Sequence, residues 1–125
     1  MEFNVAKCHV LHLGRHNPSH DYTMGGILIP TSVEEKDLGV GILVTNTLSP
    51  SEQCAEAARK ARGVLYNISR SFHNRDRTIF VRLYKQCMRC LLEYAAPAWS
   101  PWHISEIECL EKVPRTMVSL ILGLF

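Results

Sequence analysis

Hydrophobic and polar positions along the chain change their period once, near residue 49. Before it the pattern is that of short strands. Residues 5–13 are rich in β-forming side chains and stop at Gly14, where a polar loop over 15–21 begins. Tyr22-Thr23-Met24 and Ile27-Leu28-Ile29 flank Gly25-Gly26, which predicts a hairpin tip. A third run, 38–44, contains Gly39 and Gly41, the mark of a bulge or a close backbone approach. The expectation for residues 1–48 is a set of small antiparallel β hairpins.

From Ser49 the period is helical. Ser49-Pro50-Ser51-Glu52 has the form of a capping box with proline at the first helical position. Behind it Cys54, Ala57, Ala58, Ala61, Val64, Leu65, Ile68 and Phe72 recur at three- and four-residue steps, one apolar stripe on a long helix. Asn74 or Asp76 can cap the next helix, whose stripe is Ile79, Phe80, Leu83, Tyr84, Cys87, Met88, Leu91 and Leu92. Pro97 and Pro101 are expected to end it, with Trp99 and Trp102 packed in the turn. Ser105 is the expected cap of a last helix through Ile107, Leu110 and Val113, which Pro114 should kink or stop before 117–125 resumes it. The predicted fold is α+β: β hairpins over 1–48, then a three-helix bundle over 49–125.

Charge adds a regional asymmetry. Residues 1–48 carry 3 basic and 5 acidic side chains, 49–93 carry 9 and 4, and 94–125 carry 2 and 3. The net charge of +2 names no partner, but a basic middle segment is compatible with a nucleic-acid footprint as well as with solvated helix faces. Five cysteines, an odd number, preclude a complete disulfide framework. With no secretory pattern at the start and no apolar stretch long enough to span a bilayer, the expectation is an intracellular protein without membrane association.

Three groups of short motifs then occur in order. They are Phe3-Asn4-x-x-Lys7-Cys8-x-Val10-Leu11-His12-Leu13-Gly14, then Glu35-Lys36-Asp37-Leu38-Gly39-Val40, then Leu83-Tyr84-Lys85 with Leu92-Glu93-Tyr94 and Trp99-Ser100-Pro101-Trp102. Together they resemble non-LTR (LINE-type) retrotransposon reverse transcriptases, nearest the vertebrate chicken-repeat and jockey-like group. The resemblance covers nearly the whole chain and implies the end of the palm followed by the thumb of an RNA-directed DNA polymerase. It gives Lys7 the place of a lysine near the nucleotide triphosphate, and Leu38-Gly39, beside Lys36, the place of the primer-grip hairpin. The helices then stand where a thumb tracks the primer–template backbone. Arg59, Lys60, Arg62, Arg70, Arg77, Arg82 and Lys85 become candidate phosphate contacts, which carry affinity without sequence choice.

Chemistry is another matter. Polymerisation needs paired carboxylates to hold two divalent ions, and the aspartates here, Asp21, Asp37 and Asp76, are nowhere adjacent. The family's Asp-Asp motif lies upstream of the matched segment, Arg89-Cys90 replaces its usual Arg-Pro, and Pro114 interrupts the thumb. The expectation is therefore a truncated, non-catalytic copy, with at most weak binding of an RNA–DNA hybrid and no cofactor. The competing class is a helical protein–protein interaction module that uses an exposed apolar face. Cys87-x-x-Cys90 lacks a second ligand pair for zinc, and with Cys87 on the apolar stripe a core or incidental role is expected. Cys8, His12, His16 and His20 share a four-residue step, but Gly14 and Pro18 deny them one helix face. No nucleophile motif or phosphate-binding glycine loop is present, and Asn67-Ile68-Ser69 falls mid-helix.

Overall fold

A computed structural model describes residues 3–36, 41–73 and 76–123, and the chain divides into two units, Met1–Ser49 and Pro50–Phe125. The architecture is α+β.

In the first unit the strands are short and form three separate pairs. β1 (Val10–Leu11) lies parallel to β4 (Thr31–Ser32), while β2 (Thr23–Met24) and β3 (Ile27–Leu28) form the hairpin expected around Gly25-Gly26. Both glycines have positive φ, 59° and 79°, the conformation that a two-residue turn matching strand twist requires. β5 (Glu34–Lys36) pairs antiparallel with β6 (Leu43–Thr45). Two expectations need correction. The β1–β4 pair is parallel, so the unit is not wholly antiparallel. Residues 5–13 are not one strand, because the Asn4 side chain accepts a hydrogen bond from the Ala6 amide and winds Val5–Lys7 into a 3-10 turn. Of the strand expected over 38–44, residues 38–40 lie outside the described residues and the rest contributes to β6; its partner was missed because Glu34-Glu35-Lys36 carries no apolar signal. Only Ile42 and Thr45 are buried among this unit's described residues, so it has almost no core of its own.

The second unit holds the hydrophobic core. α1 (Ser51–Ser71) buries Cys54, Ala57, Ala58, Ala61, Leu65 and Ile68, as the stripe predicts. Its start differs from the expected capping box. Pro50 occupies the cap position without a side-chain hydrogen bond, and the Ser51 hydroxyl donates instead to the Glu106 carboxylate. α2 (Arg77–Leu83) is capped by Asp76, whose Oδ1 accepts from the amides of Thr78 and Ile79; Asn74 lies outside the described residues.

α2 runs into a π turn over Tyr84–Met88, in which the Arg89 amide bonds to the Tyr84 carbonyl, and then into α3 (Arg89–Glu93). This turn corrects the predicted stripe. At about 100° per residue, Cys87 would lie roughly beneath Phe80; the wider turn advances only about 80° per residue and puts Met88 there instead. Phe80, Met88 and Leu92 are accordingly buried, while Cys87 and Ile79 are exposed.

The helix ends at Glu93, before either proline. Tyr94 leaves the helical region and Ala95 takes a left-handed conformation with φ 51°. Pro97 begins the short α4 (Ala96–Trp99) rather than ending a helix. Trp99 is buried as expected, its indole N–H donating to the Tyr94 carbonyl at 2.7 Å, but Trp102 is 69% exposed. α5 (Ile104–Leu122) is continuous through Pro114 and is capped by His103, not Ser105. Glu106 accepts from the backbone amides of Trp102 and His103, both at 3.2 Å, while its own amide donates to the His103 carbonyl. Val113 and Met117, one turn apart, are buried against α1 and Phe80, so packing on both sides of Pro114 holds the helix together.

Candidate nucleic-acid interface

The core of α1 fixes what the helix presents on its other side. With its buried stripe turned inward, the helical step of about 100° places Arg59, Arg62, Tyr66 and Arg70 within about 80° of one another, facing away from the core. All four are exposed, and the row runs over roughly 16 Å of helix axis. Arg70 lies over the Tyr66 ring with its guanidinium carbon 5.7 Å from the centroid, a cation–π contact that leaves the charge accessible. Arg62 folds back so that Nε donates to the Ala58 carbonyl at 3.2 Å.

Arg59 is differently placed. Its Nε and Nη2 grip the Glu56 carboxylate at 2.8 and 2.9 Å, and Lys60 Nζ lies 3.4 Å from the same group. The Arg59 hydrogen bonds, with Lys60 adding to them, lower the Glu56 pKa to about 2. Glu56 thus neutralises part of the N-terminal end of the row, and the free positive charge is greatest toward Arg62 and Arg70.

The remaining cations of α2 and α3 do not join this row. Arg77, Arg82 and Lys85 are exposed with no carboxylate within ion-pair distance among the described residues. Arg82 and Lys85 point away from Phe80, whereas Arg77 sits in the first turn of α2, where the helix dipole disfavours a cation and Asp76 compensates. Arg89 is tied by Nε to both Glu93 oxygens at 2.9 Å. Lys7 ends the 3-10 turn and Lys36 ends β5, both exposed and both in the first unit. Leu38 and Gly39 lie outside the described residues.

Tyr66 was missed in the sequence reading. Its signal is a basic–aromatic–basic step of four, Arg62, Tyr66, Arg70, interleaved with the apolar stripe. An aromatic face between two guanidinium groups suits stacking on an unpaired base, alongside phosphate contacts.

The acidic and metal-ligating residues do not converge. Asp76 is a helix cap, Asp21 is an exposed loop residue, and Asp37 lies outside the described residues. Among the described residues no three of His, Cys, Asp and Glu are grouped as a metal would need. His9 pairs with Glu35 at 3.1 Å, while His16 and His20 are exposed. Two shallow clefts flank α2. One of about 180 Å³ is lined by Thr78, Ile79, Arg82, Leu83 and Gln86, and one of about 140 Å³ by Val81, Tyr84, Pro114, Met117, Val118 and Ile121. Both fall below the usual size of a small-molecule site. No helix among the described residues is long and apolar enough to cross a membrane.

No family model, curated protein or solved structure matches this chain.

Proposed function

We propose that the chain corresponds to the palm end and thumb of a non-LTR retrotransposon reverse transcriptase. On this reading it has no polymerase activity of its own and binds nucleic acid weakly and without sequence choice through the outer face of α1. The observation that supports the binding role is the row Arg59–Arg62–Tyr66–Arg70 opposite the buried stripe. Phosphates meet the guanidinium groups and the tyrosine ring meets a base, a pairing that serves a primer–template or a single strand equally. Lys7, Lys36, Arg77, Arg82 and Lys85 add a diffuse positive field. All five cysteines are free thiols, which fits a reducing intracellular compartment.

The test is a titration of labelled RNA–DNA hybrid at several salt concentrations. With about −0.9 in the slope of log K against log salt per phosphate neutralised, Arg62→Glu with Arg70→Glu should flatten the slope by about two. Adding Arg59→Glu should change it by less than one further contact, since Glu56 already holds that guanidinium. Tyr66→Ala should weaken single-strand binding at unchanged slope. Superimposable curves for wild type and the charge-reversed variants would overturn the binding role, and template-dependent primer extension would overturn the non-catalytic reading.

One observation favours the alternative, a protein-interaction module. α5 carries exposed Val118 on the apolar cleft at Val81 and Tyr84, with exposed Leu122 one turn further along. Val118→Glu would abolish a protein contact there and leave the nucleic-acid titration untouched.

A further inference from the structure

The π turn that places Met88 under Phe80 also turns Cys87 away from the core. Cys90 lies three residues on, in the first turn of α3, and both thiols are exposed. None of the other three cysteines is exposed: Cys54 is buried, Cys8 and Cys109 half-buried. Residues three apart on a helix are surface neighbours. Helix geometry puts their Cα atoms about 5–5.5 Å apart, inside the range of roughly 4.4–6.8 Å that disulfides span. The Cys90 Sγ lies 3.8 Å from the Lys85 carbonyl oxygen.

We propose that Cys87 and Cys90 form a surface dithiol that closes reversibly to an intrahelical disulfide by exchange with a small-molecule disulfide of the glutathione type. One thiolate attacks the external disulfide, forming a mixed disulfide and releasing one small thiol. The second thiolate then attacks the protein-side sulfur and expels the other. The dithiol gives up two electrons and two protons, and the external disulfide becomes two thiols. Closure draws the Cβ atoms about 1–2 Å together from their helical spacing of about 5–6 Å. Pairs that are exposed and drawn in this way form labile disulfides, open in a reducing cell and closed as the glutathione pool is oxidised. The proposal is independent of the nucleic-acid reading.

The test equilibrates the full chain in graded mixtures of reduced and oxidised glutathione, alkylates the remaining thiols, and identifies the linkages by peptide mass spectrometry. The expected result is loss of two of the five thiols, with a mass lower by two hydrogens and a Cys87–Cys90 link that excess reduced glutathione reopens. In Cys87→Ser, oxidised glutathione should instead leave a stable glutathione adduct on Cys90. Both positions are exposed, so helical circular dichroism should be unchanged in the variant. Stable glutathione adducts on both cysteines of the wild type, intermolecular dimers, or a link to another cysteine would each overturn the proposal.

Discussion

Replacing Pro114 by alanine should stabilise the helical unit, although the position lies inside a packed helix. Pro114 has no N–H to give the Leu110 carbonyl, and its ring crowds the preceding turn, a combination that costs about 3 kcal/mol relative to alanine in a helix interior. Against this, the ring is half-buried and lines the cleft beside Tyr84 and Met117. Removing its outer methylenes, at about 0.8 kcal/mol each if fully buried, forfeits about 1 kcal/mol. The net gain is about 2 kcal/mol. For a unit of 76 residues (50 to 125) each kcal/mol moves the midpoint by about 4–8 °C, so Pro114→Ala should raise it by about 8–16 °C. Thermal melting followed by circular dichroism at 222 nm measures this, and Pro114→Gly serves as control, with a gain about 1 kcal/mol smaller. An unchanged or lowered midpoint for the alanine variant would refute the reasoning. It would mean either that the ring's packing outweighs the missing hydrogen bond or that the Leu110 carbonyl is satisfied by another donor.

Acidification should destabilise the helical unit in a defined window. Glu56 is held below its ordinary value, to about 2, by Arg59 and Lys60, and Glu106 is lowered by the Ser51 hydroxyl and the His103 and Trp102 amides. Carboxylates depressed on folding contribute in full above about pH 4.5 and lose that contribution as pH falls toward their folded pKa, and Glu56→Gln should shrink the slope of urea midpoint against pH between about 4.5 and 2. Phe80→Ala empties a fully buried position that also meets Phe72 edge-on at a centroid distance of 6.3 Å, and should cost about 3–5 kcal/mol, enough to leave most of the chain without its helical melt. Burial raises the Cys54 thiol to about 11, so at pH 8 iodoacetamide should label Cys87 and Cys90 well before Cys54; equal rates would contradict that burial.

What the sequence determined by itself was local and repetitive. The stripe from Cys54 to Ile68 was legible because an apolar residue every third or fourth position can be buried in only one way on a helix. The Gly25-Gly26 hairpin was legible because both turn residues require positive φ, which glycine alone adopts without strain. The outer face of α1 followed from the same periodicity, since defining the buried side defines the exposed one. Tertiary structure decided what depends on partners distant along the chain. Ser51 turns from its own helix to Glu106, 55 residues away, and the caps fall at Pro50 and His103 instead of the serines. Pro114 is carried within α5 because Val113 and Met117 are both buried in the core, a gain that no local propensity includes. The π turn belongs to the same class. One residue of extra width brings Met88 rather than Cys87 beneath Phe80, and the competition between two side chains for one core position is settled by packing volume, which periodicity does not encode.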